Sequence, residues 1–180
     1  MRVITGTAKG RRLNELKGME TRPTSDRVKE GIFSSIQFHV AGAAVLDLFG
    51  GTGQMGIECL SRGAEKAVFS DARRDATALI KKNLEATELS ERATVLTADY
   101  AAVLSGTREK FDLIFLDPPY ETKLLERALE MISQFDILRE NGIIVCESPS
   151  DKILPELSSP YAKHREYRYG KIKVTLYCRH

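Results

Sequence analysis

Short apolar runs that end in glycine or acidic residues recur along the chain, separated by segments in which apolar residues return at helical spacing. The run at residues 45–49 (VLDLF), for example, stops at the glycine-rich residues 50–53. Further runs cover residues 67–69, 94–97, 111–116 and 143–147. Runs this short, bounded by turn residues, are typical of buried strands.

Helical spacing is clearest between the second and third of these runs. Apolar residues at 76, 79, 80 and 84 share one face and predict an amphipathic helix over residues 73–88. A shorter helix is predicted from Met55 to a C-cap at Gly63, and another around residues 125–132. Strands that alternate with helices in this way predict an α/β protein with a doubly wound, Rossmann-like, mostly parallel sheet.

The two ends of the chain depart from this alternation. Residues 161–178 hold two β-forming runs, which predict an antiparallel hairpin that closes one edge of a seven-stranded sheet. Residues 1–20 predict a small basic hairpin. The next helix would be capped by Thr24 and contains Gly31, which costs about 1 kcal/mol relative to alanine. We expect residues 1–40 to extend the single domain that residues 41–180 form.

The composition is that of one ordinary globular domain. The chain has 180 residues, of which 42% are hydrophobic and 29% charged, and this argues against disorder and a coiled coil. Its longest uncharged apolar runs are far shorter than the ~18 residues of a membrane span, and its first residues lack the apolar stretch of a signal peptide. The three cysteines show no CxxC spacing. We therefore expect a cytoplasmic protein with reduced thiols, no metal site and no membrane contact.

Charge is distributed unevenly, although the net charge is only +2. Residues 1–30 carry eight Lys/Arg and four Asp/Glu, and residues 161–180 carry six and one. The residues between them are acidic on balance, with 13 basic and 20 acidic side chains. Basic ends on an acidic middle indicate a polyanionic partner. Solvated basic strands would give the same pattern, and charge alone does not decide between the two.

A glycine-rich turn follows the first strand. Residues 51–56 match G-x-G-x-x-G, in which glycines let the backbone approach a ligand and the next helix offers its free N–H groups. Asp71 and Asp99 end the next two strands, at positions suited to the ribose and the adenine edge of a nucleotide-like cofactor. Each of these aspartates, taken alone, also fits a helix cap. Because the carboxyl ends of parallel strands share one sheet edge, their convergence favours a binding site.

Asp47 indicates which cofactor this turn binds. It lies four residues before Gly51, where its carboxylate would repel a pyrophosphate but attract a cationic sulfonium. Residues 47–53 read D-L-F-G-G-T-G, which resembles motif I (D-x-F-x-G-x-G) of the S-adenosylmethionine-dependent methyltransferases.

The tetrad Asp117-Pro118-Pro119-Tyr120 ends the fourth strand, since two prolines cannot continue a central strand. The Asp117 carboxylate and the Pro118 carbonyl are suited to accept both hydrogens of a nucleobase amine, so that the nitrogen lone pair points at a methyl donor. Tyr120 offers a ring on which an extruded base can stack. A stiff turn whose aspartate caps the next helix is the simpler interpretation of the tetrad alone.

The chain resembles the RsmD-like family of bacterial methyltransferases over nearly its whole length. The pair of D-P-P-Y and motif I is similar to that of the amino-methyltransferases. The opening of the RsmD-like family resembles three stretches of this chain, residues 2–4 (RVI), 9–13 (KGRRL) and 21–30 (TRPTSDRVKE). Residues 169–170 resemble its closing strand. The chain departs from the family pattern in two places. Its turn reads Gly-Gly-Thr-Gly instead of Ala-Gly-Ser-Gly, and Ser70-Asp71 stands where glutamate is common. Both departures would also fit a paralogue with another target.

The resemblance implies S-adenosylmethionine-dependent methylation of the N2 amine of a guanine in 16S ribosomal RNA, free or in a small-subunit assembly particle, by a monomer. It implies a cofactor site formed by Asp47, Phe49, Gly50, Gly51, Gly53, Asp71, Asp99, Tyr100, Thr21, Arg22, Pro23 and Thr24. It assigns Asp117 to Tyr120 to catalysis. It assigns RNA binding to Lys9, Arg11, Arg12 and Arg27. A methyltransferase for DNA adenine or protein glutamine, a hydride-transfer enzyme and an inactive RNA-binding module stay as alternatives.

Overall fold

The computed structural model describes residues 1–17, 24–120 and 122–180. In these ranges the chain forms five α-helices, α1 (Asp26–Ser35), α2 (Gln54–Ser61), α3 (Arg74–Thr87), α4 (Tyr100–Gly106) and α5 (Leu124–Phe135). The strands are β1 (Ala44–Asp47), β2 (Lys66–Asp71), β3 (Ala93–Thr97), β4 (Phe111–Leu116), β5 (Leu138–Pro149), β6 (Tyr161–Tyr169) and β7 (Ile172–Arg179). None of these helices is long and apolar enough to cross a bilayer.

The seven strands form one sheet in the order β3-β2-β1-β4-β5-β7-β6. The first five strands are parallel, and β7 pairs antiparallel with both β5 and β6. The predicted α/β sheet with an antiparallel C-terminal hairpin is therefore confirmed. The sheet order reverses at β1, so the carboxyl ends of β1 and β4 flank the crevice where such folds bind ligands.

The sheet is covered on both faces, as its nearly continuous apolar strands require. On β4, Leu113 and Phe115 face a core that contains α1, α2 and α3, whereas Ile114 and Leu116 face a second core with α4 and α5. Residues 113–116 are therefore buried on both sides of the sheet and read as one unbroken apolar run, whereas Asp112 before them is only half-buried.

The start of α1 differs from the prediction. Ser25, not Thr24, caps the helix, because the Ser25 Oγ accepts a hydrogen bond from the Val28 N–H at 3.3 Å. Gly31 has a packing reason: a Cβ there would lie 2.2 Å from the Tyr169 hydroxyl oxygen. A side chain at this position would need the Tyr169 ring to move, which favours glycine here despite its helix cost.

The N-terminal segment packs into the same core as the rest of the chain. Val3 N–H donates to the Arg11 carbonyl at 3.0 Å, which makes a short hairpin. The Glu58 carboxylate of α2 accepts the N–H groups of residues 4 and 5 at 2.9 and 3.0 Å. Lys29 of α1 lies 3.3 Å from the same carboxylate, and both side chains are fully buried. This buried charge pair holds the hairpin against α1 and α2.

The sequence did not predict α4. This helix has seven residues, and of these only Val103 and Leu104 are buried. Two buried residues in two turns leave no periodic pattern, so the sequence gives no sign of this helix between β3 and β4. Helix α2 is also short, with eight residues.

Candidate functional site

A cavity of about 790 Å³ opens at the carboxyl edge of the sheet, between the ends of β1, β2, β4 and β5. Its walls include Thr24, Asp47, Phe49, Gly50, Gly51, Asp71, Asp99, Tyr100 and the four residues 117–120. The structure thus brings the predicted cofactor and reaction residues to one place. Gly53 lies behind the wall against Ile80 and Ile57. The predicted residues Thr21, Arg22 and Pro23 lie outside the described residues.

The glycine turn is held by the strand beside it. Gly51 and Gly53 have φ angles of 56° and 81°, a left-handed conformation that favours glycine. The Gly50 N–H donates to the Ser70 carbonyl at 2.8 Å, and the Gly51 N–H donates to Asp71 Oδ2 at 3.1 Å. Asp71 therefore fixes the turn, and the free lone pairs of its carboxylate remain for a ligand hydroxyl.

Asp47 is a buried carboxyl group in the floor of the cavity. It is 4% exposed, and its Oδ2 accepts the Gly56 N–H of α2 at 3.1 Å. The pKa of Asp47 is raised to about 7, mainly by burial. The hydrogen bond from Gly56 lowers this pKa, and the charge of Asp71 raises it. A carboxyl group in this state gains most from a cationic ligand, because the cation would stabilise its ionised form.

Phe49 and Tyr100 stand together on one wall, with ring centroids 5.6 Å apart and planes tilted by 34°. This pair offers an aromatic surface to a flat heterocycle. Asp99 lies beside it and caps α4, since its Oδ1 accepts the Ala101 N–H at 2.9 Å. Asp99 is exposed, so capping and ligand contact are both open to its carboxylate.

The D-P-P-Y turn forms the opposite wall. Pro118 is buried, whereas Asp117 and Pro119 are exposed toward the opening. Although Asp117 has surface in the cavity, the surrounding protein desolvates its carboxyl group and raises its pKa well above the ordinary value, and the charges of Glu147 and Asp47 act in the same direction. Asp117 does not cap α5, whose N-cap is Lys123.

The cavity also contains polar residues that the sequence did not predict, and two of them are Glu147 and Gln54. Glu147 lies two residues before the end of β5 and accepts the Tyr120 hydroxyl at 2.7 Å and the Thr24 hydroxyl at 2.8 Å. Gln54 begins α2, and its Oε1 is buried with no hydrogen-bond partner among the described residues. Glu147 follows the same rule of acidic residues at strand ends that pointed to Asp71, whereas Gln54 carries no comparable signal.

The predicted RNA-binding residues lie at different ends of the molecule. Arg11 donates to the Ala86 carbonyl and pairs with Glu88 at 2.8 Å, at the end of α3. Arg73, the residue before this 14-residue helix, lines the cavity, so the Arg11 guanidinium lies at the opposite end of α3 from the cavity. Lys9 lies in the turn whose Gly6 packs against Ser61, the last residue of α2.

Arg27, in contrast, is exposed in the first turn of α1, three residues after Thr24 of the cavity wall. Arg12 is exposed opposite Arg2, with which it forms a β-bridge. Among the four predicted RNA contacts, the structure therefore places Arg27 beside the cavity and Lys9 and Arg11 away from it.

A family model described as Conserved hypothetical protein 95 matches residues 1–178. This is the model of the RsmD family. The chain belongs to the RsmD family. The YlbH protein of Bacillus subtilis is 41% identical over 180 residues and covers 98% of each chain. Ribosomal RNA small subunit methyltransferase D of Haemophilus influenzae is 35% identical over 161 residues, covering 87% of this chain and 83% of the relative.

The solved structure of yhhF from Escherichia coli shares the fold, with a TM-score of 0.89 and 32% identity, and covers 99% of this chain and 97% of that one. The RsmD family uses S-adenosylmethionine. The family match covers the N-terminal hairpin, the glycine turn and the D-P-P-Y turn together, so the resemblance seen in the separate motifs is confirmed for the chain as a whole.

Proposed function

We propose that this protein transfers a methyl group from S-adenosylmethionine to the N2 amine of a guanine in small-subunit ribosomal RNA. The observation that carries the proposal is that the motif I turn and the D-P-P-Y turn line one cavity. The methyltransferase family and the rRNA substrate in a relative's name support the reaction and the substrate class. The guanine and its N2 amine rest on the resemblance and on the chemistry of D-P-P-Y.

The cofactor end of the cavity fits S-adenosylmethionine. The Phe49–Tyr100 pair suits the adenine ring, Asp71 the ribose hydroxyls and Asp99 the adenine edge. Gln54 Oε1 and Asp47 are an unpaired acceptor and a buried carboxyl group at the glycine turn, as a cationic amino-acid tail requires. When bound, the cofactor supplies an electrophilic methyl group on a sulfonium.

The opposite end suits a nucleobase amine. Such an amine is a weak nucleophile because its lone pair is delocalised into the ring. The Asp117 carboxylate and the Pro118 carbonyl accept its two hydrogens and direct the lone pair toward the methyl group. After transfer the nitrogen is positively charged and strongly acidic, so the Asp117 carboxylate can accept its proton. Tyr120 provides the ring for stacking.

Incubation with labelled S-adenosylmethionine tests this proposal. We expect the purified protein to label small-subunit rRNA or its assembly particle, and mass spectrometry of the digested RNA to find N2-methylguanosine. A strain that lacks the protein should lose that nucleoside from the same RNA. Label on adenine, on DNA or on protein would overturn the proposed substrate. Binding of NAD without S-adenosylhomocysteine would overturn the methyltransferase itself.

A further inference from the structure

Glu147 is a buried acidic residue of the cavity for which the proposed reaction has no direct use. It is 6% exposed and lies two residues before the carboxyl end of β5. Its Oε1 accepts the Tyr120 hydroxyl at 2.7 Å, and its Oε2 accepts the Thr24 hydroxyl at 2.8 Å. Each carboxylate oxygen thus accepts a bond from a different segment, so Glu147 joins the D-P-P-Y turn and the residue before the N-cap of α1 to the sheet.

Tyr120 is fixed at one end and open at the other. The residue is 40% exposed, yet its hydroxyl is bound to a buried carboxylate. A half-exposed side chain normally samples several rotamers, and ordering it costs conformational entropy when a ligand binds. The charge-assisted bond to Glu147 removes that freedom before a substrate arrives, while the face of the ring stays available.

We propose that Glu147 is a positioning residue, which acts by holding the Tyr120 ring in place at the substrate end of the cavity. The proposal rests on the proposed function, since the ring is taken to stack on the target base. A purely structural Glu147 would stabilise the fold without changing how the substrate is used, so the test needs readouts that separate these two roles.

Glu147 has a second effect that supplies such a readout. Its negative charge raises the pKa of Asp117, as does Asp47 at the end of β1. The groups that face Glu147 are the hydroxyls of Thr24 and Tyr120, and Lys152 lines the surface beside it while pairing with Glu126 at 3.1 Å. Removal of the Glu147 charge therefore lowers the pKa of Asp117, whereas removal of the Tyr120 hydroxyl leaves that charge in place.

The experiment compares Glu147→Gln, Tyr120→Phe and the double variant, with Glu130→Gln on the exposed face of α5 as matched control. We expect each single variant to lower kcat/KM for the RNA by about 10- to 100-fold, the range of one lost stacking contact. The double variant should lose no more than the larger single effect, because both changes act on the same hydrogen bond: glutamine has one acceptor oxygen for two hydroxyls and no charge, and phenylalanine has no hydroxyl. The Kd for S-adenosylmethionine should stay within about threefold of wild type.

The pH profile then separates the two single variants. The acidic limb of kcat/KM should move to lower pH in Glu147→Gln and stay in place in Tyr120→Phe. Additive losses in the double variant, or wild-type kinetics in Glu147→Gln, would overturn the proposal. If Glu147→Gln does not fold, Thr24→Val and Tyr120→Phe take its place, because each removes one hydroxyl donor and leaves the Glu147 carboxylate. Thr24→Ser restores the hydroxyl and is expected to restore the activity that Thr24→Val loses.

The two proposals fail in different ways. A wild-type protein that transfers no methyl group overturns the proposed function and the role of Glu147 with it. An active wild-type protein with unaffected variants overturns only the role of Glu147. A wild-type protein that methylates a different base amine leaves this test intact, because the same rate and pH comparisons are then made on that substrate.

Discussion

Asp47 should make the binding of S-adenosylmethionine depend on pH. Burial under the glycine turn raises the pKa of its carboxyl group to about 7 in the free protein. A cationic ligand stabilises the ionised form, so binding is strongest when Asp47 has lost its proton. Affinity should therefore rise with pH through neutrality, and the bound state should release a proton to the buffer.

The size of the effect follows from the titration. With a pKa of about 7, the ionised fraction of Asp47 is about one tenth at pH 6 and about nine tenths at pH 8. If only the ionised form binds well, the Kd falls by about tenfold between these pH values, which is about 1.4 kcal/mol. Asp117, whose pKa is also raised, contributes less to this effect, since it faces the substrate end of the cavity.

Isothermal titration calorimetry at pH 6, 7 and 8 measures this effect, with Asp47→Asn as the control. Asparagine keeps an acceptor for the Gly56 N–H, which Asp47 Oδ2 binds at 3.1 Å, but it cannot ionise. The ligand's own α-amino group titrates near pH 8, and it does so equally with both proteins. The ratio of wild-type to variant affinity therefore isolates Asp47. A ratio that stays constant from pH 6 to pH 8 would refute the reasoning.

Three further predictions follow from the site and the surface. Asp117→Asn should lower turnover by orders of magnitude and leave cofactor affinity nearly unchanged in calorimetry, since the carboxylate acts at the amine; near-normal turnover would contradict the mechanism. Asp71→Ala should weaken cofactor binding by about 1.5–3 kcal/mol per lost hydrogen bond, and an unchanged Kd in the folded variant would remove Asp71 from the site. In filter binding across salt concentrations, Arg27→Ala should flatten the log–log slope by about 0.7–0.9, whereas Arg11→Ala should leave the slope and lower the melting temperature; the reverse result would place Arg11 on the RNA.

The strands of the sheet could be predicted because their environment leaves a strong pattern. A strand buried on both faces reads as a short unbroken apolar run, as residues 113–116 do, and the turn residues after it mark where it ends. Helix α4 left no such pattern, since its seven residues bury only two side chains. Elements that are held by contacts elsewhere in the chain, rather than by their own periodicity, are the ones that the sequence does not reveal.

The cap of α1 shows the same limit at the level of one residue. Thr24 and Ser25 are neighbours, and both side chains suit an N-cap. The choice depends on Glu147, which lies 123 residues away along the chain and takes the Thr24 hydroxyl, so that Ser25 caps the helix. Gly31 is similar, because its helix cost is explained only by Tyr169 of the distant hairpin. Local propensity does not contain these facts.

The candidate site was predictable where one topological rule applied. Parallel strands end at the same edge, so acidic residues at the ends of β1, β2, β3 and β4 were expected to meet, and all four line the cavity. Glu147 lies near the carboxyl end of the next strand and reaches the same edge, but no ligand chemistry in the motifs calls for it. Its partners are two hydroxyl groups of the protein itself, so its role concerns how the substrate end of the cavity is held in shape. A strand-end acid that binds the protein rather than a ligand is thus found only when side-chain contacts are known.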